Sequence, residues 1–225
     1  MTEKKLKLDV DQASELKAAF RRGGWTNEDI KRMCEGSIIL DIRDVIRGTA
    51  KIVPVNPPEF PAFKTIKLGT GPKTADEWRV VLEAAGCRVN NLAYGMIKQA
   101  AFKVAEHETE VEAVVVSVEE LGFFEELEFV EGIQRDQIYG RAKKFGLGLC
   151  PAELGPQLAH QYPEQPKGGV LLVAMEPIQL LPSNNLEVFE VGNNTADGRR
   201  RLSTNHGHHC ERWSGSTRWV FVRPK

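Results

Sequence analysis

The chain has 225 residues, 41% of them hydrophobic and 27% charged, which is ordinary for a globular protein of one large domain or two small ones. A formal net charge of −1 and an isoelectric point near 6.5 give no whole-protein reason to expect binding to polyanions or acidic membranes. The longest apolar runs, such as Val114 to Val116 and Val170 to Met175, are strand-sized and too short to span a bilayer, so no membrane partner is expected.

In chain order, Asp9 or Asp11 can cap a first helix whose apolar face is Val10, Ala13, Leu16 and Phe20, closed by Gly23 and Gly24. Thr26 with Asp29 has capping-box spacing for a second, with Trp25 and Ile30 placed as a hydrophobic staple. Ser37 then caps a third, which carries Ile38, Ile39, Ile42, Val45 and Ile46 and stops at Gly48. These helices make residues 1–53 a helical N-terminal unit. Pro54, Pro57, Pro58 and Pro61 remove backbone donors and mark 54–62 as a proline-rich linker.

An α+β domain with a mainly antiparallel sheet is expected over 63–225. Phe63 to Leu68 alternates as a strand, Gly69 to Pro72 is a turn, and Thr74 with Glu77 opens a helix that ends at Gly86. Another helix is expected from Asn91 to Phe102, then a buried strand from Val111 to Val118. A helix from Gln134 to Phe145 and one from Pro151 to Gln161 follow. Three strands complete the chain: Val170 to Ile178, Leu186 to Val191 and Arg218 to Val222, the last finishing the sheet. Strands that do not alternate regularly with helices argue for α+β over a doubly wound sheet. Charge is uneven along this domain. From Glu106 to Glu131 there is no Lys or Arg, whereas six arginines face one glutamate from Arg199 onward, so the two segments are expected to meet.

Five constellations could carry chemistry. LGTGPKT, Leu68 to Thr74, superficially suggests a phosphate loop, but Gly69 and Gly71 are too close together and Pro72 deletes a donor. A plain strand–turn–helix link fits better. The three N-terminal helices could form a helix-turn-helix with Ser37 to Arg47 as the recognition helix; Asp41 and Asp44 beside Arg43 and Arg47 favour a structural bundle or a partner-docking element. His206, His208, His209 and Cys210 are candidate zinc or nickel ligands by softness, though neighbours in sequence rarely all reach one ion. Glu153, Gln157 and His160 fall at i, i+4 and i+7 and could give general acid–base chemistry of a hydrolase type, or simply a solvated helix face. Arg212, Trp213 and Arg218 interleave charge and aromatic rings, a pattern that holds single-stranded nucleic acid or belongs to an ordinary terminal strand.

Cys34, Cys87, Cys150 and Cys210 form no C-x-x-C pair. The opening MTEKKLKLDVDQ lacks the apolar core of a secretory signal, so reduced thiols in the cytoplasm are expected.

The phrases GWTNEDIKRMCEG, TIKLGTGPKTADEW, ETEVEAVVVSVEELGF, GLGLCPAELGPQL, QPKGGVLLVAMEPI and RWVFVRP occur in this order over most of the chain. In them it resembles an uncharacterised bacterial family of hypothetical proteins. That family has no established activity, so the resemblance carries over no site residue, and HGHHC lies outside its pattern. With caps, turns and cores well specified and no cofactor loop, the leading expectation is a non-catalytic binding or regulatory protein acting through protein partners.

Overall fold

The computed structural model describes residues 9–35, 38–50, 58–123, 132–194 and 198–224. The chain divides into two compact units, Met1–Asn56 and Pro57–Lys225. Residues 54–57 of the expected linker lie outside the described residues, as do 51–53 of the expected helical unit and Ser37.

The first unit is built from local signals. The carboxylate of Asp9 accepts from Gln12 N and Gln12 answers to Asp9 N, opening α1 (Val10–Arg22). Thr26 and Asp29 do the same for α2 (Asn27–Cys34), and α3 runs Ile38–Ile46. Gly48 ends α3 with a positive φ of 74°, a conformation that glycine adopts without a Cβ penalty. None of the three helices contains a buried residue.

The second unit is α+β. Its elements are β1 (Lys64–Leu68), α4 (Ala75–Ala84), β2 (Cys87–Val89), α5 (Asn91–Ile97), β3 (Thr109–Ser117), β4 (Ile133–Gln134), α6 (Arg135–Lys144), α7 (Leu154–Gln161), β5 (Val170–Val173), β6 (Ile178–Leu180), β7 (Asn185–Asn193), β8 (Arg200–His206), β9 (Arg212–Trp213) and β10 (Arg218–Arg223). Seven strands follow the order β1-β3-β10-β5-β7-β8-β2, with β6 added on β7. β10–β5 and β2–β8 are parallel and the other pairs antiparallel. A separate pair joins β4 to β9.

One row of side chains crosses the sheet on a single face, because directly paired residues point the same way. It runs Val116, Trp219, Leu172, Glu190, Ser203 through β3, β10, β5, β7 and β8. Tyr139 of α6 meets Trp219 edge-on with ring centroids 5.5 Å apart, and Trp213 of β9 does so at 5.2 Å. The apolar end of that row is thereby covered. On the opposite face, Phe189 packs against Phe102 and against Gly155 of α7. A Cβ at Gly155 would lie 2.6 Å from the Phe189 ring, so only glycine lets the helix approach this closely. Trp78, Leu82, Leu154 and Leu158 are fully buried in the same core.

Four expectations are corrected. The helix expected to reach Phe102 stops at Ile97: Gln99 and Phe102 close successive turns onto Met96 and Gln99, and Phe102 is drawn under Phe189. The strand expected over Val170 to Ile178 is two strands, β5 and β6. Pro177 cannot donate between them, and Met175 instead bridges to Cys150. The helix expected from Pro151 begins at Leu154, after a turn closed by Leu154 N on Pro151 O. The C-terminal strand does not finish the sheet; it lies inside it, between β3 and β5. That position brings Arg223 to Glu112 at 2.7 Å, one point where the acidic and basic segments meet. Residues 124–131 of the acidic segment lie outside the described residues. Among the described residues, no helix is long and apolar enough to cross a membrane.

Candidate functional site

Glu153 and Gln157 meet, and His160 does not join them. Glu153 is 1% exposed, yet its carboxylate accepts Gly69 N at 2.8 Å, Ala105 N at 2.8 Å and Gln157 Nε2 at 2.9 Å. Gln157 Nε2 also donates to Thr70 O at 2.7 Å, and its Oε1 accepts from Gln161 Nε2 at 2.8 Å. Gln161 then bonds both Lys67 N and Lys67 O, at 3.0 and 2.8 Å. Its carboxamide pairs the free edge of β1 as a neighbouring strand's peptide would. A step of four residues turns about 40° toward the core, whereas a step of seven falls about 20° back. Gln157 and Gln161 therefore turn inward and His160 faces solvent. The glycine-rich turn does hold an anion, and it is the chain's own Glu153. The Lys73 and Thr74 N–H groups beyond it donate to Glu77, holding that carboxyl below its ordinary range. The ladder is a clamp on the β1–α4 and α5–β3 connections.

The histidine segment is a tight link from β8 to β9. Gly207 N donates to Leu186 O at 2.7 Å, and Arg135 donates to Gly207 O. A Cβ on Gly207 would meet Pro177 at 2.9 Å. Glu211 N donates to His208 O at 3.0 Å, and Glu211 O accepts from Arg135 N at 3.0 Å. Between these anchors His208, His209 and Cys210 are exposed, with their ligand atoms all within 4.8 Å of one another. His208 Nδ1 lies 2.9 Å from Cys210 Sγ, and the two imidazole rings are 4.3 Å apart. His206 turns elsewhere, its Nδ1 3.9 Å from the buried Glu187 carboxylate. His206 and His208 line one cleft of about 360 Å³.

The basic aromatic end is divided as well. Arg212 donates to Gly132 O at 2.9 Å. Trp213 and Arg218 line a cleft of about 380 Å³ together with Glu190, Asn205 and Thr217. This is the polar end of the cross-sheet row. Glu190 is 7% exposed and accepts from Ser203 Oγ at 2.9 Å, Arg201 Nη2 at 3.0 Å and Asn205 Nδ2 at 2.9 Å. Sequence reasoning passed over Glu190; the one signal was a glutamate inside an apolar strand run, Val188 to Val191.

The buried thiols are held unreactive. Cys150 is pushed up by burial and donates to Val220 O, and Cys87 is pushed up to about 11 by burial. In the first unit, Arg43 lies 3.0 Å from the carboxylate of Asp44 on its own helix, and the turn of the expected helix-turn-helix, Gly36 and Ser37, lies outside the described residues. The apolar chains there are open: Val10 is 81% exposed and Ile46 80%, with Leu16, Trp25, Ile38, Ile39 and Leu40 also exposed. No family model, curated protein or solved structure matches the chain.

Proposed function

We propose that this chain is a cytoplasmic, non-catalytic binding protein that docks to a protein partner through its N-terminal helices. The observation that carries this is six large exposed apolar side chains on α1 and α3, with Trp25 exposed just before α2, in three helices that contain no buried residue. Helices of 8 to 13 residues are marginal without an apolar face to pack, and a partner's surface supplies that packing. The second unit supports binding over turnover. Its buried Glu153 and Glu190 each accept three hydrogen bonds, and its buried thiols are stabilised in the protonated form. Used as bait in its own host, the intact chain recovers a stoichiometric partner, and an Ile39→Glu/Ile46→Glu variant loses it while the second unit melts unchanged. Equal recovery by both proteins contradicts the reading.

A second reading rests on Trp213 and Arg218 sharing one cleft with Asn205. A ring wall beside a guanidinium suits a base and phosphate of single-stranded nucleic acid. Titration of an oligonucleotide at low salt, where the phosphate contribution is strongest, tests it. Arg218→Ala weakens binding if the cleft is used, and no affinity at all removes the reading.

A further inference from the structure

We propose that His208, His209 and Cys210 form a three-ligand site for a borderline-soft divalent transition metal, with zinc as the best match. Two imidazoles and a thiolate are a zinc donor set, and tetrahedral zinc separates its ligand atoms by roughly 3.3–3.8 Å. The three ligand atoms here already lie within 4.8 Å of one another, so small side-chain rotations close the shell. His208 and Cys210 stand nearest, at 2.9 Å.

The usual objection to neighbouring ligands is that an extended backbone points them apart. In this link the backbone is folded back, because Glu211 N closes a turn onto His208 O. The turn is also fixed from outside. Gly207 is pinned against Pro177 and bonded to Leu186 and Arg135, and the pairing of β9 with β4 holds the far end. Few degrees of freedom are then left for the metal to order, which favours affinity. His206 is outside the set because it faces Glu187, so the site has three protein ligands and a fourth position toward solvent. A site of this kind exchanges its metal or takes an external ligand, unlike a closed structural centre. On binding, the Cys210 S–H bond breaks, its proton passes to solvent, and a sulfur lone pair forms the metal–sulfur bond. No electron changes hands.

The test uses the intact chain stripped by a chelator and titrated with zinc against a chromophoric competitor. The site binds one equivalent. Cys210→Ser and His208→Ala each lose at least ~30-fold in affinity, whereas His206→Ala changes it by less than about threefold. Cobalt substituted for zinc gives a thiolate-to-metal charge-transfer band that disappears in Cys210→Ser. An adventitious histidine tract behaves differently: it depends equally on all three imidazoles and is indifferent to Cys210. That pattern, or no binding, overturns the proposal. All four residues reside in the second unit, so the outcome is independent of whether the N-terminal helices find a partner.

Discussion

At the residue scale, burial and hydrogen bonding decide which ionisable groups are available. Cys34 and Cys210 are exposed free thiols, while Cys87 and Cys150 are buried and raised by desolvation. Alkylation followed by peptide mass mapping should label Cys34 and Cys210 quickly and leave the other two untouched until unfolding; early labelling of Cys150 would mean that the core is open. Asp29 gives a pH expectation. Its carboxyl is lowered from 3.8, chiefly by the Thr26 hydroxyl and then by the Thr26 N–H. A carboxylate lowered in the folded state stabilises it above the unfolded pKa, and the contribution is lost as pH falls through the folded one. The Asp29 carboxyl resonance should therefore titrate below 3.8, with the α2 cap released over the same range. An Asp29→Asn variant should abolish that acid step in α2.

At the element scale, the Glu153–Gln157–Gln161 ladder locks α7 to the edge of β1 and to two loops. Glu153→Ala leaves the Gly69 and Ala105 N–H groups buried without an acceptor, an expected loss of about 2 to 4 kcal/mol in urea unfolding. Gln161→Ala, at the half-exposed end of the ladder, should cost about 1 kcal/mol. Equal effects of the two would mean that the buried carboxylate is not the anchor. The caps at Thr26 and Thr74 were legible in sequence because a cap is a contact three residues long. So were the β-branched run of β3 and the alternation of RWVFVR. Glu153 could be picked out by its helical spacing, but its partners Gly69 and Ala105 are 84 and 48 residues away, and spacing carries no such information. β8 was missed for a related reason: in RRLSTNH only Leu202 is apolar, and the strand exists because β7 and β2 flank it. Glu190 became visible only once pairing set it beside Ser203.

At the scale of the whole molecule, two units of different character share one chain. The second has a core of aromatic and aliphatic side chains on both faces of a mixed sheet, with the buried Glu153 and Glu190 each accepting three hydrogen bonds. The first has helix signals as good as any in the second, yet its three helices contain no buried residue. Local capping specifies where a helix begins and ends; it does not supply the tertiary packing from which most helical stability comes. The central proposal is that the apolar side chains exposed on α1 and α3 form a face that docks to a partner. Hydrogen–deuterium exchange on the isolated chain tests it most directly. The account predicts fast exchange throughout α1–α3, beside strong protection in β3, β7 and β10, with the helices becoming protected only in the partner complex. Protection of α1–α3 in the isolated chain to the level of those central strands would contradict it, because the face would then already be covered.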